Sequence, residues 1–188
     1  MPFDIAGLPA RPHNHEVRFY SDDAVFVATV SNFVTAALMA GNACIVFATK
    51  PHRDSVLQAL KLQGMDVDAA IRLGTYVPLD AAEMLSLFMV NGWPDRARFF
   101  EGFAKLVESA LKATKAQNPR IAIFGEGVAL LCDDGNAEAA IQLEELGNHL
   151  ANKYNVDILC AYPLSLCTKE HENEIKRICA QHSAAYSG

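Results

Sequence analysis

Residues 120–131, RIAIFGEGVALL, hold an apolar run that reads as a buried strand and stops abruptly at Phe124-Gly125-Glu126-Gly127. An isolated ionised carboxylate is costly to desolvate, so Glu126 at that position requires a partner or a ligand. It is the first candidate for chemistry, as a pocket group or as a general acid or base whose pKa burial raises. His15 or His52 would be its partner in acid-base work. Other polar residues stand at the ends of apolar runs in the same way: Tyr20, Thr49 and His52, Asp80, and Tyr162. In open parallel sheets ligands bind outside the carboxyl ends of the strands, which makes Tyr20, Thr49, His52, Asp80, Glu126 and Tyr162 the expected ligand-binding set, joined by His15, which precedes its strand, if the chain enters on that face.

Several chemistries lack their motifs. No G-x-x-x-x-G-K-[ST] cradle or G-x-G-x-x-G turn occurs, so P-loop nucleotide hydrolysis and dinucleotide binding are not expected, and no cofactor is implied. The nucleophile elbow G-x-S-x-G is absent, and no catalytic residue is assigned. The six histidines show no metal spacing and no H-E-x-x-H, so no metal site is expected. His149 and His171 read as solvated helix residues, and Glu144-Glu145 as a solvated helix face from which one member could turn inward. The five cysteines lack C-x-x-C pairing and read as buried free thiols in a reducing compartment.

The elements that must position these groups alternate. Strands are expected at residues 17–20, 43–48, 75–80, 121–124 and 157–162, with helices from about 21 to 39, 51–63, 81–89, 94–115, 137–154 and 169–181. Residues 43–48 and 121–124 are apolar on both faces, the pattern of strands covered by helices on either side. The fold class is therefore α/β, a three-layer sandwich on a mostly parallel central sheet. With 188 residues, half of them apolar, one domain over residues 15–188 is expected after a loose segment 1–14.

Sixteen basic against twenty-two acidic residues give a net charge of −6 without basic banding, which argues against nucleic acid as a partner. No apolar run approaches the ~18 residues of a membrane span and no leader pattern opens the chain, so a cytoplasmic protein without membrane contact is expected.

Taken together, residues 15–22 (HEVRFYSD), residues 124–131 (FGEGVALL), Gly135-Asn136, Leu143-Glu144, residues 160–163 (CAYP) and Ile178-Cys179 with His182-Ser183 resemble the MEDS family of DcmR-like sensory domains. The resemblance implies a sensory domain with a RecA/KaiC-like core, here without its phosphate loop, proposed to bind small molecules and often fused to histidine-kinase or DNA-binding output modules. The ligand does not transfer. With no room for an output module around residues 15–188, the chain is expected to signal through a partner such as a histidine kinase or regulator, or as a homodimer. The surfaces for this would be residues 91–103, with Trp93, Phe99, Phe100 and Phe103, and the last helix with Ile175, Ile178 and His182. An enzyme using Glu126 with a histidine, and a ligand-free interaction module, stand beside the sensory reading.

Overall fold

The computed structural model describes residues 15–154, 156–168 and 171–187. The expected loose segment 1–14 and the start of the last helix at Lys169 lie outside them.

Strand β2 (Ala43–Ala48) is buried at every position and forms the sheet interior beside β6 (Ile121–Gly125) and β7 (Val156–Pro163). Their two-sided apolar sequences leave no face for water, so helices must cover both sides. With β1 (His15–Tyr20), β3 (Tyr76–Asp80) and β8 (Ala184–Ser187) they form one six-stranded sheet in the order β3-β2-β6-β7-β1-β8. Every pairing in this sheet is parallel. The architecture is the expected α/β sandwich.

One layer contains α1 (Asp23–Met39), α2 (Lys50–Leu62) and α3 (Val67–Leu73), which bury Phe26, Val30, Val34, Val56, Leu60 and Val67 against Val46, Phe124 and Leu159. The opposite layer contains α4 (Ala81–Phe88), α5 (Arg96–Ala113), α6 (Gly127–Asp133), α7 (Ala137–Tyr154) and α8 (Glu172–Gln181). Side chains alternate along a strand, so His15, Val17 and Phe19 of β1 face this second layer together with Ile158, Cys160 and Tyr162 of β7.

Several features differ from the sequence expectation, among them α6, a short helix that was not expected after β6. The Asn91-Gly92 break is the turn of a small hairpin joining β4 (Met89–Val90) to β5 (Trp93–Pro94). Both turn residues have positive φ, 51° and 82°, as a two-residue primed turn requires. Helix α3 is short and was not expected; the Asp66 side chain starts it by accepting from Ala69 N. Strand β8, rich in small residues, exists by pairing with β1, where Arg18 lies over the Tyr186 ring at 4.6 Å.

Candidate functional site

A dense polar cluster lies under α7 on the sheet face. His15 opens β1, and the Ser183 hydroxyl fixes it there, accepting from His15 N (3.1 Å) and donating to the His15 carbonyl (2.9 Å). That clamp brings His182 at the end of α8 beside His15, with ring centroids 4.3 Å apart. Cys160 and Tyr162 arrive from β7 by the alternation of the strand. Glu144 arrives from α7, where Ile141, Glu144, Gly147 and Ala151 share the buried stripe. Gly147 allows the approach, since a Cβ there would meet His15 Cε1 at 3.2 Å.

The Glu144 carboxylate is the hub, 1% exposed. Its Oε1 accepts from the Tyr162 hydroxyl at 2.6 Å and its Oε2 from the Cys160 thiol at 3.2 Å. His15 Nε2 and His182 Nε2 stand 3.2 and 3.3 Å from the same Oε2. Burial opposes ionisation of Glu144, but His182 and His15 beside it outweigh burial and hold the carboxyl well below its usual range. Burial and the Glu144 charge push the Cys160 thiol and Tyr162 phenol well up, keeping both as protonated donors.

Beside this cluster lies a cavity of about 70 Å³. His15, Glu144 and Cys160 form part of its wall, and most of the remainder is apolar, including Met84, Leu85, Phe88, Phe99, Phe103 and Leu143. Phe99 packs on Phe103 at 4.4 Å and edge-on to Phe88 at 5.4 Å.

Glu126 occupies a second, separate cluster at the carboxyl ends of β2 and β6. It is buried and paired with a histidine, as its place after an apolar strand requires: Oε1 accepts from His52 Nδ1 at 2.6 Å and Oε2 from Thr49 N at 2.8 Å. Phe26 stacks on the His52 ring at 3.9 Å, Tyr20 meets it edge-on at 6.4 Å, and Asp23 lies 3.5 Å from Nε2. The hydrogen bond to Glu126 raises the His52 pKa, against the opposing effect of burial. Asp80 stands apart, paired with Arg53 at 3.0 Å and capping α4 through Ala82 N and Glu83 N.

The seven sequence candidates thus do not line one pocket. Tyr20, Thr49, His52 and Glu126 meet at the strand ends, Asp80 caps a helix, and His15 and Tyr162 join Glu144; of the seven, His15 alone is in the cavity wall. The sequence assigned none of Glu144, Cys160 and His182 to the site, Glu144-Glu145 being read as a solvated face from which one member could turn inward and His182 as part of a docking surface. Glu144 was readable, because it stands three residues after Ile141 and three before Gly147 on one helical stripe. The convergence of the group needed the β7-β1 neighbourhood, which no local pattern contains.

The expected docking surfaces are also revised. Phe99, Phe103, Ile175, Ile178 and His182 are buried, because they fill the layer that closes the cavity and its polar cluster; Trp93 is 50% exposed.

Comparison with known proteins agrees with this sensory reading. The profile of the MEDS family, described as "MEthanogen/methylotroph, DcmR Sensory domain", matches residues 14–183. The chain is 24% identical over 185 residues to the transcriptional repressor DcmR of Methylorubrum extorquens (strain DSM 6343 / CIP 106787 / DM4), covering 92% of this chain and 63% of the repressor. With a family match over nearly its whole length, the chain belongs to the MEDS family of sensory domains.

Proposed function

We propose that this domain senses a small, largely apolar molecule with one polar end, held in the cavity between the sheet and α4, α5 and α7. The observation that carries the reading is the chemistry of the wall, apolar through Phe88, Phe99 and Phe103 and polar at His15, Glu144 and Cys160. Sites of this kind, apolar with a few placed polar groups, are the common form of small-molecule pockets. At about 70 Å³ the space is roughly half that of a cavity of about 150 Å³ that holds benzene, and suits a small molecule.

A regulatory output agrees with the family's sensory description and with the repressor relative. Output passes to a partner protein such as a histidine kinase or regulator, since a ligand acts by favouring one of two states that the partner distinguishes. Catalysis by P-loop hydrolysis is not part of this reading, because the glycine-rich cradle and its lysine are missing from the sequence. The parallel sheet is compatible with the RecA/KaiC-like core that the family resemblance implies. Five free thiols support a cytoplasmic location, and no helix among the described residues is long and apolar enough to cross a membrane.

Thermal melting with a graded series of short-chain alcohols, aldehydes and haloalkanes tests the proposal. Stabilisation that peaks at a small size and vanishes in Ala81→Leu, which fills the cavity from α4, is the expected result. Equal shifts in wild type and variant, or none with any probe, would reject it.

A further inference from the structure

We propose that His15 Nε2, His182 Nε2, Cys160 Sγ and one oxygen of Glu144 bind a single divalent transition-metal ion, with zinc as the reference ion. These four atoms come from β1, α8, β7 and α7, and all lie within 4.8 Å of one another. The separations are 3.2 Å for His15–Glu144, 3.3 Å for His182–Glu144, 3.2 Å for Cys160–Glu144 and 3.4 Å for His15–Cys160. Tetrahedral zinc with bonds of about 2.0–2.3 Å sets its ligands roughly 3.3–3.8 Å apart, so these four separations need only a small expansion.

The hydrogen bonds around the two histidines fix which nitrogen of each ring faces the cluster. His182 Nδ1 lies 2.7 Å from the Ile178 carbonyl, which can only accept, so the proton is on Nδ1. Asn148 spends its amide hydrogens on the Gln181 carbonyl (2.7 Å) and side chain (3.2 Å), so its Oδ1 accepts from His15 Nδ1 at 3.1 Å. In the neutral rings this network assigns both Nε2 lone pairs to the interior, aimed at an anionic oxygen. His182 Nε2 is buried and makes no hydrogen bond among the described residues, despite its 3.3 Å approach to Glu144. With the rings neutral, one thiol proton leaves lone-pair atoms facing one another, and a bound cation would supply the positive charge that the histidines otherwise bring to Glu144.

The outer contacts match what metal ligands require. Imidazoles held by an acceptor on the other nitrogen, and a carboxylate oriented by a further hydrogen bond, are the usual support of a metal centre. Here Asn148, Ile178 and Tyr162 supply those contacts. Two imidazoles and a thiolate select a borderline-soft ion over magnesium or calcium. On binding, Cys160 loses its thiol proton to solvent, and the thiolate and the Glu144 carboxylate together neutralise a dication. The cavity reaches three of the four ligands. This inference rests on the four ligand atoms; because three of them are also the polar end of the cavity, the polar end of a small molecule in the proposed reading would meet the ion and its ligands.

The test is to load the whole purified chain with one equivalent of zinc for X-ray absorption, and with cobalt(II) for absorption spectroscopy. One bound ion per chain is expected, with one sulfur, three nitrogen or oxygen neighbours and imidazole scattering, and with an intense tetrahedral cobalt spectrum carrying a thiolate charge-transfer band. Cys160→Ser should abolish that band, Cys44→Ala on the opposite sheet face should keep it, and Asn148→Ala should weaken affinity by about 10–100-fold in chelator competition. Failure to retain the ion, a first shell without sulfur or with two, or a band that survives Cys160→Ser would overturn the proposal. The wild-type absorption measurement decides even if Cys160→Ser does not fold.

Discussion

The Tyr162 hydroxyl donates to Glu144 Oε1 at 2.6 Å, which leaves Oε2 of that carboxylate to the thiol and the two histidines. A strand residue thereby fixes the rotation of a helix carboxylate inside the core, and a phenol so deeply buried has no water to replace its partner. Tyr162→Phe is expected to destabilise the fold by about 1.5–3 kcal/mol, the usual cost of losing a hydrogen bond to a buried charge. Urea denaturation of the two proteins measures it; a difference under about 0.5 kcal/mol would show that Glu144 is not charged there.

Gly147 faces His15 across the helix-sheet boundary. An alanine would ordinarily stabilise a helix interior by about 0.5–1 kcal/mol relative to glycine. Here its Cβ would lie 3.2 Å from His15 Cε1, and the ring is held through Nδ1 by Asn148 and cannot retreat. Gly147→Ala is expected to be net destabilising by about 1 kcal/mol, within the range for overpacked cores. A more stable variant would mean that α7 yields there.

The His52-Glu126 pair predicts a pH dependence with a definite sign. Hydrogen bonding to Glu126 raises the folded-state pKa of His52 above its ordinary 6.5. The stability contributed by the pair is therefore fully present below the ordinary value and is lost as pH rises through the raised one. The stability gap between wild type and His52→Gln should shrink as pH rises across that window, and the His52 imidazole resonances should titrate above 6.5. A titration midpoint at or below that value would contradict the pairing.

Much of the scaffold was legible because local patterns determine it. Helix α7 spans Ala137–Tyr154, as its apolar period requires, and β2, β6 and β7 carry two-sided apolar runs that can only be interior strands. Glu126 was found for the same reason, being a charge at the end of such a run. Strand β8 escaped notice because Ala184 and Ala185 have little strand preference of their own and are held by β1. The main cluster escaped because its members are far apart in sequence, His15 and Cys160 being 145 residues apart. The carboxyl-end rule pointed to Glu126, while the cavity lies on the sheet face, where Gly147 allows α7 to approach closely.

The measurement that bears most directly on the sensory proposal is a crystal structure with a brominated short-chain alcohol, using the anomalous signal of bromine to locate the probe. Bromine is expected among Phe88, Phe99 and Phe103, with the hydroxyl turned towards His15, Glu144 and Cys160, and no bromine there in Ala81→Leu. Bromine at the strand ends beside Glu126 and His52, or on the surface alone, would contradict it.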